Sequence, residues 1–499
     1  MNLTALLIAT LVTSVEIPDC IVSAADGIVP VLIQLEAPTR EINNIRRMKK
    51  SSNEKAKEMV TSLQKFSSTS QKDLVEYLDE LYQQERVDDY RSYFISNTIA
   101  VDIDKEFISP VSNFNGVKEI GCNFVPASRK KRSLDDTQSS HLSFDYPEYR
   151  SDKDPDPEKH PLYYGPGIHQ MKVPEIEDNI FKKAASLVIG IIDSGFDFTH
   201  QALNESYKGF NGGNFDHNYA FFDGTRTLDE ITRSNDNLRH GTRIISLAVG
   251  KKPFGISPQS KWIACKALEG RTNPTENYLS CQQFLLAPTN LKGKSPNALL
   301  RPHVITNSWG CEKEENCFTT PLKYASHAHR VAGIFNVVAA GNNGQKTCGT
   351  ISFPPPENKH SFVVAGLEWN STLGVEWSSV GPSKFRKNPI DVAAAGAFVL
   401  TAFPSNLYVY FDGTSLSAPL VAGGALLVMA ACPSLQRNPH DLAGILRNSA
   451  TPIYSTLGCG GDTMETVPNN EFGYGLVDIK EAIKLCGDTY GFEKKKGKL

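Results

Sequence analysis

Between residues 161 and 486, short apolar runs alternate with segments of helical length. The runs are Leu187 to Ile192, Trp262 to Cys265, Val304 to Thr306, Ile334 to Ala339, Phe362 to Ala365 and Asp391 to Ala395. Runs this apolar suit strands covered on both faces, and strands spaced this widely are joined by crossovers rather than hairpins. The pattern predicts an α/β fold with a mainly parallel sheet and helices on both faces. Functional residues of such a fold collect at the C-terminal ends of its strands. One segment breaks the alternation: after Gly413 and Thr414, an almost uncharged stretch runs from Ser415 to Ala431. It predicts a helix buried on all sides, with Gly423 and Gly424 letting neighbouring elements approach. Upstream, Val29 to Leu35 reads as a strand and Arg40 to Arg86 as helical. Ser92 to Ile95 and Ile99 to Ile103 read as paired strands, Phe107 to Phe114 as a second helix and Val117 to Ile120 as a last strand. That is a small α+β module preceding the larger domain.

A chain of 499 residues has room for both modules. Its net charge of −3 excludes a general nucleic-acid or membrane-surface binder. No apolar run is expected to reach the roughly 18 residues of a membrane span, so no transmembrane segment is predicted. Leu3 to Val12 has the length of a signal-peptide core, and Val22-Ser23-Ala24 suits a signal peptidase, so residues 1–24 read as a secretory leader. Ten cysteines without a tight CxxC pair point to disulfides in an oxidising compartment. Cys311 and Cys317 are the expected local pair. Sequons at Asn204 and Asn370 agree with export. Arg129, Lys130, Lys131 and Arg132 precede a polar linker, 133–160, and read as a processing site cut after Arg132, either by another protease or by the enzyme itself, with Lys313 counting against the second route. Residues 487–499 form a basic tail.

The chemistry lies at element boundaries. The run ending at Ile192 delivers Asp193, His240 opens an apolar segment, and Ser415 starts the long apolar helix. A serine there also serves as an ordinary helix cap, so the argument rests on its partners. A serine hydroxyl needs a base within hydrogen-bond reach, and the base needs an orienting group. A helix N-terminus favours negative charge developing beside it.

The blocks around Asp193, His240-Gly241-Thr242 and Gly413-Thr414-Ser415 resemble those of the subtilisin-like serine proteases (subtilases), in the family's order. The resemblance implies Asp193 as the orienting acid, His240 as the general base and Ser415 as the nucleophile. Val337 to Gly344 resembles the strand end whose Asn342 donates to the oxyanion. Val304 to Gly310 resembles the cleft-lining strand, implying substrate contact at Ser308, Trp309 and Gly310. Residues 161–486 then form the peptidase domain and 25–132 resemble an inhibitory propeptide, with protein or peptide substrates as the other partners. Arg243, Trp309 and Ser417 to Leu420 resemble the kexin-like branch, whereas Ser194 and Lys313 depart from it. His200 reads as structural. Catalysis requires no cofactor. Structural calcium is a family feature, for which Asp223, Asp229, Asp236 and Asp391 offer carboxylates without a contiguous ligand motif. The competing expectation is a silent subtilase fold used for binding or inhibition, which the intact residue set disfavours.

Overall fold

The computed structural model describes residues 15–123, 166–225, 236–251, 254–270, 273–311, 317–351 and 355–491. The leader's apolar core, the basic run Arg129 to Arg132, Asp229, and Glu312 to Glu315 with Lys313 lie outside these residues.

The N-terminal module has four strands, β1 (Ile28–Gln34), β2 (Val87–Tyr93), β3 (Thr98–Asp104) and β4 (Glu119–Cys122). They form an antiparallel sheet in the order β2-β3-β1-β4. The polar stretch expected to be helical becomes three helices, Thr39–Arg47, Ser52–Ser70 and Lys72–Gln83. The second is opened by a reciprocal capping box between Ser51 and Glu54. Val31, Ile33, Leu74, Leu78, Val101 and Ile103 share one core. Ile21 belongs to the same core at 1% exposure, and Cys20 is bridged to Cys122. The leader end expected at Ala24 therefore falls inside this packed module.

The second module carries β5 (Val188–Asp193), a hairpin of β6 (Phe210–Asn211) and β7 (Asn214–Phe215), β8 (Phe221–Asp223), β9 (Lys261–Lys266), β10 (Val304–Asn307), β11 (Phe335–Ala339), β12 (Phe362–Leu367) and β13 (Val392–Ala395). A second hairpin pairs β14 (Val399–Phe403) with β15 (Leu407–Phe411). The main sheet runs β13-β12-β11-β10-β5-β9-β8, with every pairing parallel. All six expected strands are present. The edge strand β8 was not expected, because three residues show no periodicity. Strands that follow β5 in the chain leave to one side through β9, and the later ones to the other side through β10. The order therefore reverses between β5 and β10, and a crevice opens beyond their C-terminal ends. Asp193 ends β5, and Ser308 follows β10.

Through this module runs the helix Thr414–Ala431, in which every residue except Ser415 is buried. It has the length and hydropathy of a membrane span, contrary to the expectation that no run would reach it, yet 94% of it is buried inside the protein. An all-round apolar helix is stable where neighbours cover every face. A β-carbon on Gly423 would lie 2.8 Å from the carbonyl oxygen of Ala248 and 2.7 Å from Cβ of Ile256. Glycine thus allows this helix to lie against the helix Gly241–Val249, which begins directly after His240. Five disulfides are formed: Cys20–Cys122, Cys265–Cys281, Cys311–Cys317, Cys348–Cys459 and Cys432–Cys486. The expected Cys311–Cys317 pair is among them.

Candidate active site

Asp193 is fully buried at the end of β5. Its Oδ1 accepts from the Ser194 backbone N–H at 2.7 Å and meets Nδ1 of His240 at 2.7 Å. A carboxylate held there keeps the Nδ1 proton in place and leaves Nε2 as the basic nitrogen. The His240 side chain is only 21% exposed, so the pair works largely away from water.

Ser415 is the second residue of its helix, where backbone N–H groups have no intrahelical acceptor. Its hydroxyl donates to the carbonyl of Ser308 at 3.4 Å, beyond the usual length of an O–H···O bond. In return the Ser308 hydroxyl donates to the carbonyl of Ser415 at 2.8 Å. That carbonyl is available because its i+4 residue is Pro419, which has no N–H to offer. An interior proline, normally disruptive, here frees the acceptor that ties the serine to the strand end after β10.

Asn342 follows β11. Its Oδ1 accepts from the Thr414 backbone N–H at 3.0 Å and from the Thr414 hydroxyl at 2.9 Å. These bonds fix the amide and turn its Nδ2 the other way. A β-carbon on Gly413 would stand 3.6 Å from Asn342 Nδ2 and 3.7 Å from the Ser415 backbone nitrogen. Both donors therefore border the small space that Gly413 leaves open beside Ser415. Gly413 has φ +148°, within the range where a side chain is strained. Trp309 stacks on Tyr278 at 4.1 Å between ring centroids and donates its indole N–H to Asn307 Oδ1 at 3.1 Å. Its ring is buried, so it supports the strand end rather than offering an aromatic wall. Gly310 is half-buried beside the Cys311–Cys317 bridge.

His200 is buried, contacts the Leu407 carbonyl at 3.2 Å and accepts from the Ala202 N–H at 3.1 Å, anchoring the β14–β15 hairpin. Burial holds its pKa below the ordinary value. Three of the carboxylates considered for calcium, Asp391, Asp223 and Asp236, are hydrogen-bonded within the protein. Asp391 is bound by Arg386, Arg447 and the Val363 N–H, and Asp223 accepts from the backbone and hydroxyl of Thr225. Asp236 accepts from Ser194, His240 and Thr242. No group of three or more His, Cys, Asp or Glu side chains placed to hold a metal ion occurs among the described residues. Sequence reasoning missed the support of Asn342 by Thr414, the role of Pro419 and the contacts of Ser194 and Asp236. Only the block departure at Ser194 carried a signal.

The sequence model of the Subtilase family matches residues 184–475. The chain is 27% identical over 449 residues to Bacillopeptidase F of Bacillus subtilis, covering 88% of this chain and 29% of that protein. It is 26% identical to the Thermophilic serine proteinase of Bacillus sp., covering 56% of this chain and 60% of that relative. It is 25% identical to Subtilisin DY of Bacillus licheniformis, covering 64% of this chain and 98% of that relative. The chain thus spans less than two thirds of the first two relatives.

Proposed function

As the chain belongs to the subtilase family, we propose that it is a secreted serine endopeptidase made as a zymogen, with Ser415 as its nucleophile. The observation that carries this reading is the 2.7 Å Asp193–His240 contact at the mouth of the crevice where the Ser415 helix begins. In this scheme Ser415 Oγ attacks the peptide carbonyl carbon and passes its proton to Nε2 of His240, while His240 Nδ1 keeps its own proton, donated in a hydrogen bond to the Asp193 carboxylate. The carbonyl oxygen, now an oxyanion, takes hydrogen bonds from Asn342 Nδ2 and the Ser415 backbone N–H. The imidazolium returns its proton to the leaving amine, giving an acyl-serine. Water, deprotonated by the same histidine, then releases the acid. Labelling by a fluorophosphonate probe, lost in Ser415→Ala, tests the assignment. Peptide hydrolysis that persists in the variant at more than about a tenth of wild-type turnover refutes it, because triad losses cost several orders of magnitude.

The N-terminal module acts as the inhibitor in this reading. Tyr93 and Ser280 share a 2.8 Å hydroxyl hydrogen bond, and the Ile95 N–H donates to Gln283 at 3.2 Å. Asn123 caps the helix Thr275–Leu286 by accepting from the Glu276 N–H at 3.1 Å. Arg301 reaches back to the Ser52 carbonyl and to Asn53. Release follows cleavage after Arg132 by an external basic-specific protease. The five disulfides support an oxidising compartment. Of the two sequons, Asn370 is exposed in a turn and suits glycosylation. At the other, Asn204 Oδ1 accepts from the Glu205 N–H and Ser206 is buried.

A further inference from the structure

We infer that Asp236 and Ser194 together form a positioning unit for His240, fixing the backbone of the general base as Asp193 fixes its ring. The inference rests on the triad assignment and extends it to residues outside the triad.

His240 occupies the N-cap position of Gly241–Val249, and its neighbour Arg239 is held in the left-handed region at φ +57°. A non-glycine residue there persists only when surrounding contacts impose it. Asp236 Oδ1 accepts from the His240 N–H at 3.1 Å, and its Oδ2 accepts from the Thr242 N–H at 2.9 Å. The intervening Gly241 N–H donates to Ser194 Oγ at 3.0 Å. Ser194 in turn donates its hydroxyl proton to Asp236 Oδ1 at 2.6 Å, and its own N–H holds Asp193 Oδ1 at 2.7 Å. Three consecutive N–H groups at the start of the base-bearing helix are thus satisfied by two side chains, and the same network reaches the triad carboxylate. Such donors are ordinarily left to water.

Three of these donors, the N–H groups of His240 and Thr242 and the Ser194 hydroxyl, point at Asp236, which matches an ionised acceptor. Asp236 is 4% exposed, and burial raises its pKa against the pull of its hydrogen bonds. Among the described residues, the titratable groups around it include Asp193, His240 and Arg243, with Arg239 acting on Arg243. Arg243 is half-buried and stacked 4.2 Å over Phe411 and 5.1 Å over Phe403, and desolvation lowers its pKa to about 10. A second buried anion near the imidazole favours the imidazolium that forms during acyl transfer. Ser194 stands where kexin-like relatives carry an acid. A carboxylate there would face Asp236 at hydrogen-bond distance, whereas a hydroxyl donates to it.

The test uses the processed full chain with Asp236→Asn, Ser194→Ala and the double variant. Active sites are counted with a fluorophosphonate and kcat and KM are followed across pH. A wild type that cleaves peptides without being labelled overturns the triad itself, and this is read before any variant. For Asp236→Asn the expected result is a kcat per titrated site lower by about 10- to 100-fold, the scale of a sub-ångström to 1 Å misplacement. KM stays within about twofold, and the acid limb of kcat/KM moves to lower pH as the buried charge is removed. Ser194→Ala gives a smaller fall without a shift of the limb, and the double variant loses less than the sum of the two. A merely structural cap predicts fewer active sites or a lower Tm with kcat per site and the acid limb unchanged, and that result overturns the inference. If Asp236→Asn does not fold, Ser194→Ala decides, since unchanged kcat per site there is equally fatal.

Discussion

Gly423→Ala adds one methyl where the Ser415 helix crosses the helix that follows His240. The added carbon would stand 2.7 Å from Ile256 Cβ, 2.8 Å from the Ala248 oxygen and 3.2 Å from the Ala248 Cα. Ordinary contacts lie at about 3.5–4.0 Å. The neighbour must therefore retreat by roughly 0.7–1 Å, and because two of these atoms are backbone, a whole helix must move. Overpacking of this kind costs about 1–3 kcal/mol, partly offset by the roughly 1 kcal/mol that alanine gains over glycine in a helix. A net loss of up to about 2 kcal/mol lowers Tm by up to roughly 8 °C on the scale of a 150–250-residue domain. The larger effect is on rate, because the displaced helix carries His240 at its start. A shift of about 1 Å between base and nucleophile is worth up to about 100-fold, so kcat/KM per titrated site should fall about 10- to 100-fold. Gly444→Ala is the control: it lies in the helix Pro439–Asn448 with nothing within 4 Å of the added carbon. It should leave turnover unchanged and hold or raise Tm. Turnover per site within twofold of wild type in Gly423→Ala would show that helix proximity does not set the Ser415–His240 geometry.

Asn342→Ala should lower kcat by about 10²–10³ with little change in KM, the range measured for loss of the corresponding donor in subtilisin; equal losses in both constants would mean that Asn342 binds ground-state substrate. The hold of the cleaved N-terminal module on the protease should weaken as pH rises. Burial raises the pKa of Glu276 and of Asp102 in the complex, so the complex binds more protons than the separated parts and is favoured below those values. Dissociation rates measured between about pH 4 and 7 should increase with pH, less steeply in Glu276→Gln, and a rate that falls with pH contradicts this. N-terminal sequencing of the secreted zymogen should place its start before Cys20, because Ile21 is in the core and Cys20 is bridged to Cys122; a start at Asp26 or later refutes it.

The candidate catalytic residues stood out in the chain because each sits at a boundary between local patterns. Asp193 ends an apolar run, His240 precedes an apolar helix, and Ser415 follows a glycine-threonine pair. Burial on both faces makes a parallel strand continuously apolar, so all six of those strands could be located from composition alone. The edge strand β8 could not, since three residues of a half-covered strand have no period to detect. Spacing also indicated the Cys311–Cys317 bridge, whereas the partners of Cys20 and Cys348 lie 102 and 111 residues away and depend on the fold. The chain suggested a leader ending at Ala24, but the position of Ile21 in a core is a property of packing. Tertiary structure alone decided how the site is held. The sheet order reverses between β5 and β10, which places Asp193 beside Ser308 although 115 residues separate their strands at the Val188–His303 contact. It also turns Pro419 from a helix breaker into the reason that Ser308 can bind Ser415, and sets the Asp236 carboxylate against the backbone N–H of His240. These roles depend on which donor meets which acceptor across distant segments, and local sequence does not encode that pairing.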